Sequence, residues 1–413
     1  MWSGTTASSE TSATSAGAWS LVGVIWLGMV LNYVDRQVAF SIFPVLRSQL
    51  AFTESQLGLV GSIFIWTYSL VNPFAGYLAD RVRRESLMTA SVVLWSLAAL
   101  GTATSQSPFQ FLLWRAAMGI TEAVYVPCAL SLIGMAHPGP TRSRALALYS
   151  TGQMTGIVAG GWFGGWMAPA LGWRAGFVVL AGVGFAFAPF FRRMLGSRSA
   201  VEVRQRVSGA GSVFSSRCYL ALTAAFIMLC ALLWMVYAWL PDFLFRRYGL
   251  TLAQAGLVAT VYTQSGSVAG LLAGGYFADR LAKRASAARF YIAAAGLALA
   301  APCAALTFSG PDLPILRICA FGFGFASALM VSNVFAAAYD VLQPARYGFG
   351  GGALNMAGGL SGGAAMFVAG YWKDLGAGGL TPYAAAVAVA AAATLAVVAR
   401  TRFLPDRRRA GLP

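Results

Sequence analysis

Asp35 and Arg36 in "NYVDR" at 32–36, and Arg115 and Glu122 in "RAAMGITE" at 115–122, are the residues best placed for chemistry, because all four fall inside long apolar runs. A charge at mid-bilayer costs at least ~2.5–3.5 kcal/mol on insertion scales, so an ionisable group there marks a functional path by default. Two carboxylates and two guanidiniums in such a place can hold a proton or an anion in turn. Whether a carboxylate keeps a proton depends on whether an arginine or an anion stands beside it. Arg115 and Glu122 lie seven apart on nearly one helical face, separated by about 10 Å of helical rise. Fixed packing pairs are the competing reading, and buried pairs add little net stability. The four side chains are therefore expected to share a wet cavity at mid-bilayer depth.

The elements that must position them follow from composition. The chain is 58% hydrophobic and 10% charged, with mean hydropathy +0.68, against about 25% charged in soluble domains. Twelve apolar runs reach the ~20 residues that a helix needs to cross the hydrocarbon. They lie near 19–46, 55–79, 87–105, 109–136, 144–170, 174–192, 216–244, 252–278, 289–308, 313–340, 347–371 and 381–402. The expected fold is an all-α polytopic membrane protein with 12 transmembrane helices. Residues 1–18, small and hydroxyl-rich, are expected as a disordered tail, 193–215 as a polar linker, and 403–413 as a basic tail. Placing both termini in the cytoplasm puts 21 Lys and Arg in inner loops and tails. Only Arg47, Arg174, Arg246, Arg247 and Lys373 then lie outside, and Arg36, Arg115 and Arg317 lie within spans. That asymmetry fixes the orientation. The net charge of +16 is thus topological, and no nucleic-acid partner is expected.

The chain also repeats itself. "GYLADRVRR" at 76–84 returns as "GYFADRLAKR" at 275–284; Arg115 matches Arg317, and "GQMTGIVAGG" at 152–161 matches "LNMAGGLSGG" at 354–363, pairing Gln153 with Asn355. Two pseudo-symmetric six-helix bundles follow, 19–192 and 216–402. Asp35 and Glu122 face Trp234 and Gly324 in that register, so proton chemistry belongs to the first bundle. Gly152, Gly156, Gly160, Gly161, Gly164 and Gly165 are of the small-xxx-small kind that lets helices pack closely.

No nucleophile–base arrangement or phosphate-binding loop appears, so neither an enzyme nor an ATP-driven pump is expected. Cys128, Cys218, Cys230, Cys303 and Cys319 are scattered and His137 stands alone, at a position expected to be a solvated loop, so no metal site or cofactor is expected.

The doubled "GYLADR" phrase resembles the loop motif between the second and third helices of the major facilitator superfamily. There Gly76, Asp80, Arg81 and Arg84, with Gly275, Asp279 and Arg280, would form the cytoplasmic gate, the glycines allowing close helix approach. "NYVDR", "RAAMGITEAVYVP", Gln153 and "LNMAGG" together resemble the superfamily's anion:cation symporter branch; "NYVDR" and "GYLADR" also resemble spinster-like transporters, which implies as the alternative a proton-coupled exporter of a lysolipid or other amphiphile. The resemblance implies proton-coupled symport of a small organic anion by alternating access, with proton coupling at Asp35 and Glu122. It implies substrate contacts from Arg36, Arg115, Gln153 and Asn355; Tyr33, Tyr68, Tyr237 and Gln264 are weaker candidates read from their positions in the spans. A monomer in the bacterial inner membrane is expected.

Overall fold

A computed structural model of the chain describes residues 7–79, 81–137, 141–196, 213–282, 288–309, 312–343 and 346–376. All of its regular elements are helices: α1 (Ala7–Ser41), α2 (Phe43–Leu50), α3 (Glu54–Ala79), α4 (Arg84–Ala103), α5 (Pro108–Glu122), α6 (Tyr125–Ala136), α7 (Arg142–Ala170), α8 (Trp173–Leu195), α9 (Arg217–Tyr248), α10 (Leu252–Ala282), α11 (Ala288–Ser309), α12 (Leu313–Val341) and α13 (Tyr347–Asp374). Each expected span from the first to the eleventh is helical. The twelfth, 381–402, lies outside the described residues, as do residues 197–212 of the linker. Among the described residues eight helical segments are long and apolar enough to cross a membrane.

Prolines divide two of the expected spans. The first stops at Ser41, turns through Ile42 and restarts as α2 with Pro44 in its first turn. Pro44 has no N–H to give the carbonyl of Phe40, so the helix cannot continue through it. The fourth span breaks at Ala123–Val124, between α5 and α6. Pro127 removes the N–H that would bond Ala123, and the next bond, Cys128 N to Val124 O, is stretched to 3.4 Å. The break follows Glu122 directly. At the N-terminus α1 begins at Ala7, inside the stretch expected as a tail.

The packing follows the internal repeat. In the first bundle α1 lies on α7, α3 on α5, and α4 on α5 and α8; in the second α9 lies on α13, α10 on α12 and α11 on α12. Across the bundles α3 meets α13 and α7 meets α10, which are equivalent pairs under the repeat.

Glycines on α7 set two of these distances. A Cβ at Gly156, Gly160 or Gly164 would sit 2.6, 2.8 and 3.0 Å from backbone of Val30, Val34 and Val38 on α1. This i, i+4 row therefore seats α1 by the close backbone approach that only glycine permits. Gly161 and Gly165 point the other way, against Gly256 and Leu252 of α10. Gly76 and Gly275 depart from expectation, since a Cβ at either meets nothing within 4 Å. Among the described residues no helix packs against either glycine in this conformation. The cross-bundle contacts of α3 run from Glu54 to Ser69, so the bundles join at the opposite end, where α2 lies.

Candidate functional site

The four intramembrane charges do converge. Arg36 Nε donates to Glu122 Oε2 at 2.8 Å, linking α1 to the last residue of α5. Its guanidinium is enclosed by the rings of Tyr33, Phe64 and Tyr68, at 4.6, 4.8 and 4.7 Å. Such an aromatic collar favours a desolvated cation. Arg115 fills the adjoining space and donates to backbone carbonyls, Nε to Val60 O and Nη1 to Asp35 O, while also lying over Phe64. Among the described residues Asp35 has no ion-pair partner, and its Oδ1 is buried without a hydrogen bond.

The expected wet cavity is not what surrounds them. Asp35, Arg36, Arg115 and Glu122 are 3%, 3%, 0% and 0% exposed: the cluster is enclosed within the first bundle, between α1, α3 and α5. Arg115, with Nε and Nη1 directed to main-chain carbonyls of α3 and α1, ties those helices together and is fully buried. Each arginine keeps an unpartnered Nη2, but Arg36 is the better anion ligand, since its partner is a carboxylate that can be protonated and half-buried Tyr33 stacks upon it. Six polar atoms here lack partners, namely Asp35 Oδ1, Arg36 Nη2, Arg115 Nη2, Glu122 Oε1 and, on the neighbouring turn, Nδ2 and Oδ1 of Asn32. Unsatisfied buried polar atoms are costly, and their concentration in one place makes the cluster the candidate functional site.

The other expected ligands are more dispersed. Tyr237 and Gln264 come together on α9 and α10, where the Tyr237 hydroxyl neighbours Gln264 and Ser267, and Gln37 of α1 donates to the Tyr237 carbonyl at 3.4 Å. Tyr68 belongs to the Arg36 collar. Gln153 on α7 is half-buried and Asn355 on α13 is exposed, and neither touches the charge cluster. Half-buried Arg317 lies 5.6 Å from the Tyr262 ring. In the gate motif Asp80 lies outside the described residues, as does the side chain of Asp279. Arg81 packs on Tyr77 at 4.1 Å, and Arg280 donates to Tyr276 at 2.9 Å, so each copy folds its arginine onto the tyrosine one turn earlier. Arg84 is buried, with Nη1 on Met135 Sδ at 3.6 Å. His137 is buried too, edge-on to Trp19 at 4.6 Å, and is not the solvated loop residue expected. Among the described residues no His, Cys, Asp or Glu group is placed to hold a metal.

A second site was not anticipated. At the α2 end Arg47, Glu54, Asp242, Arg246 and Lys373 form one ion network: Arg47 bonds Glu54 at 2.8 Å and Asp242 at 3.1 Å, Arg246 bonds Glu54 at 2.6 Å, and Lys373 bonds Glu54 at 2.7 Å and Asp242 at 3.3 Å. Asp374, from α13, caps α3 of the other bundle, accepting from the N–H groups of Glu54 and Ser55 at 2.9 and 2.8 Å and from the Ser55 hydroxyl. A carboxylate there satisfies orphan donors at the positive end of the helix. Partial burial raises the Asp374 carboxyl, but these hydrogen bonds outweigh it and hold it below the ordinary 3.8. The network ties both bundles together and leaves none of its charges unpaired.

With the geometry in hand, comparison decides the family. The sequence pattern of the Major Facilitator Superfamily matches residues 25–366 and, in a second placement, 222–412. The chain belongs to that superfamily. It is 28% identical over 273 residues to an MFS-type efflux pump of Mycolicibacterium smegmatis, covering 65% of this chain and 64% of that protein. It is 25% identical to the D-galactonate transporter of Escherichia coli O6:H1, covering 94% of this chain and 96% of the relative. Among solved structures, a bacterial homolog to the human lysosomal transporter Spinster, inward-facing and occupied, superposes with TM-score 0.74 at 19% identity over 95% of this chain and 97% of its own. That likeness carries the fold. As a superfamily member with these apolar helices, the chain is a multi-pass membrane protein.

Proposed function

We propose that this chain is a secondary transporter that moves a small organic anion, of the sugar-acid class, together with protons by alternating access. The observation that carries the reading is the Arg36–Glu122 pair, desolvated and incompletely satisfied, beside an unpaired Asp35. While Glu122 is ionised it occupies Arg36. Once Glu122 takes a proton, the guanidinium is free to accept an external carboxylate, whose bidentate geometry matches its fork. Proton and anion binding thereby assist each other, which is what symport requires. Arg36, with Tyr33 and Tyr68, forms the anion end of this site, and Glu122 and Asp35 carry protons. Gln153, Asn355, Tyr237 and Gln264 are assigned to the hydroxyl-bearing end, reached when the bundles rock together.

In this reading 19–192 and 216–402 are the rocking bundles, 193–215 is their cytoplasmic linker, and both tails face the cytoplasm. The α2 end is then the outer side, and the conformation described is closed outward. The D-galactonate transporter aligns along nearly the whole chain, which favours a sugar acid as cargo. The relative named as an efflux pump supports a second reading, export of its cargo through the same proton site.

Purified protein in proteoliposomes, supplied with labelled D-galactonate and a panel of other sugar acids under an imposed pH gradient, tests this. Gradient-dependent accumulation is expected. Gradient-independent or absent uptake across the panel removes the anion-symport reading, and outward-only flux selects export.

A further inference from the structure

Asn32 sits on α1 one turn before Arg36, four residues away and so on the same helical face. It is 0% exposed, and both its Nδ2 and its Oδ1 are without partners. Leaving a buried amide wholly unsatisfied costs roughly 1–3 kcal/mol per group, so such a residue in the interior of a bundle calls for a role that this conformation does not display. Its amide lies beside Glu122, whose Oε2 is taken by Arg36 and whose Oε1 is buried and unpartnered. Around Glu122 stand Asp35, Arg36 and Tyr33 from α1, Tyr68 from α3 and Arg115 from its own helix. The two guanidiniums can only donate. The hydroxyls of Tyr33 and Tyr68 can donate or accept through one oxygen, whereas Asn32 offers a separate donor and acceptor, both of them buried without a partner.

We propose that Asn32 is the positioning residue for the transported proton: its amide donates Nδ2–H to Glu122 Oε1 when Glu122 is ionised and, turned over, accepts from the Oε1–H when Glu122 is protonated. No covalent step is involved; the amide turns about its terminal torsion, which is broad and roughly two-fold. The proton is thereby directed to Oε1, away from the oxygen that Arg36 holds. Arg36 can then leave Oε2 for the anion without the acid losing its only hydrogen bond. This rests on the proton-coupled reading above, but its test does not require that the cargo be known.

Infrared titration of the purified protein isolates the carboxylic C=O band that Glu122→Gln removes. In Asn32→Leu that band is expected to move to higher frequency, because the acid O–H has lost its acceptor. In Asn32→Ser, whose hydroxyl both donates and accepts, it is expected to stay near its original place. Asn32→Ala, which adds no bulk, gives the same reading if the leucine variant does not fold. In proteoliposomes with D-galactonate as probe, the leucine or alanine variant is expected to lose at least tenfold in proton-driven accumulation while anion exchange persists. A band unmoved in both variants overturns the proposal, and so does an equal loss of accumulation and exchange. Failure of the wild type to carry D-galactonate would count against the sugar-acid cargo and leave the infrared result standing.

Discussion

The enclosed cluster around Arg36 and the network at the α2 end are built from the same residue types and satisfied in opposite ways. At the α2 end three cations, Arg47, Arg246 and Lys373, share the carboxylates of Glu54 and Asp242, and Asp374 spends its oxygens on a helix N-terminus. In the cluster one pair closes, Arg36 to Glu122, while Asp35 Oδ1, Glu122 Oε1 and the Asn32 amide stay open. A saturated network has nothing further to bind and acts as a latch between bundles. An unsaturated one can gain by taking up a proton or an anion, so the hydrogen-bond deficit distinguishes a binding site from a clasp where charge content alone does not.

The largest effect that sharpens the contrast is expected from breaking the enclosed pair. Arg36→Met leaves Glu122 buried without its cation and should cost ~3–5 kcal/mol of stability, read by unfolding in detergent. The double variant Arg36→Met with Glu122→Leu should recover most of that loss and yet transport nothing. Recovery of transport would show the pair to be mere packing. Next is the latch. Asp242 is 1% exposed against three cations, and Asp242→Ala should shift the balance toward opening at the α2 end by ~2–3 kcal/mol. Spin labels on the two bundles at that end would report it as a lengthened distance, and an unchanged distance would break the comparison.

Asp374→Ala removes only the cap and should give a smaller opening of ~1 kcal/mol, about fivefold in population. Its pH dependence has a definite sign. A carboxyl held below its ordinary 3.8 contributes above that pH, and the contribution is lost as pH falls through the lower folded value. The wild type is therefore expected to open further under acid below about 4, and Asp374→Ala, already loosened at neutral pH, should lack that acid response. Smallest is the response to salt. Raising it from 0.1 to 1 M shortens screening from about 10 to 3 Å and should loosen the part-exposed latch while leaving the enclosed pair untouched. Equal salt sensitivity at both places would argue that the cluster is wetter than its burial indicates.

Much of this was legible in the sequence, for identifiable reasons. Span lengths follow from hydropathy, and the repeat of "GYLADR" placed equivalent helices correctly. Asp35, Arg36, Arg115 and Glu122 stood out because charges are rare in apolar runs. What could not be read was pairing, since nothing local says that Arg36 takes Glu122 and leaves Asp35, or that Arg115 turns to main-chain carbonyls. The α2-end network was invisible because its members are scattered from Arg47 to Asp374 and looked like loop charges setting topology. Pro44 and Pro127 did carry a signal for the two helix breaks, but hydropathy windows pass over single prolines. Gly76 and Gly275 show the reverse failure: a motif implies a close approach that this conformation does not make.

The central claim is that anion and proton compete for and cooperate through Arg36 and Glu122. The most direct test adds D-galactonate to purified protein in a weakly buffered solution and follows the pH. Proton uptake on binding is predicted for the wild type and should vanish in Glu122→Gln. Saturable binding of D-galactonate with no proton uptake, or with the same uptake in both proteins, would contradict it.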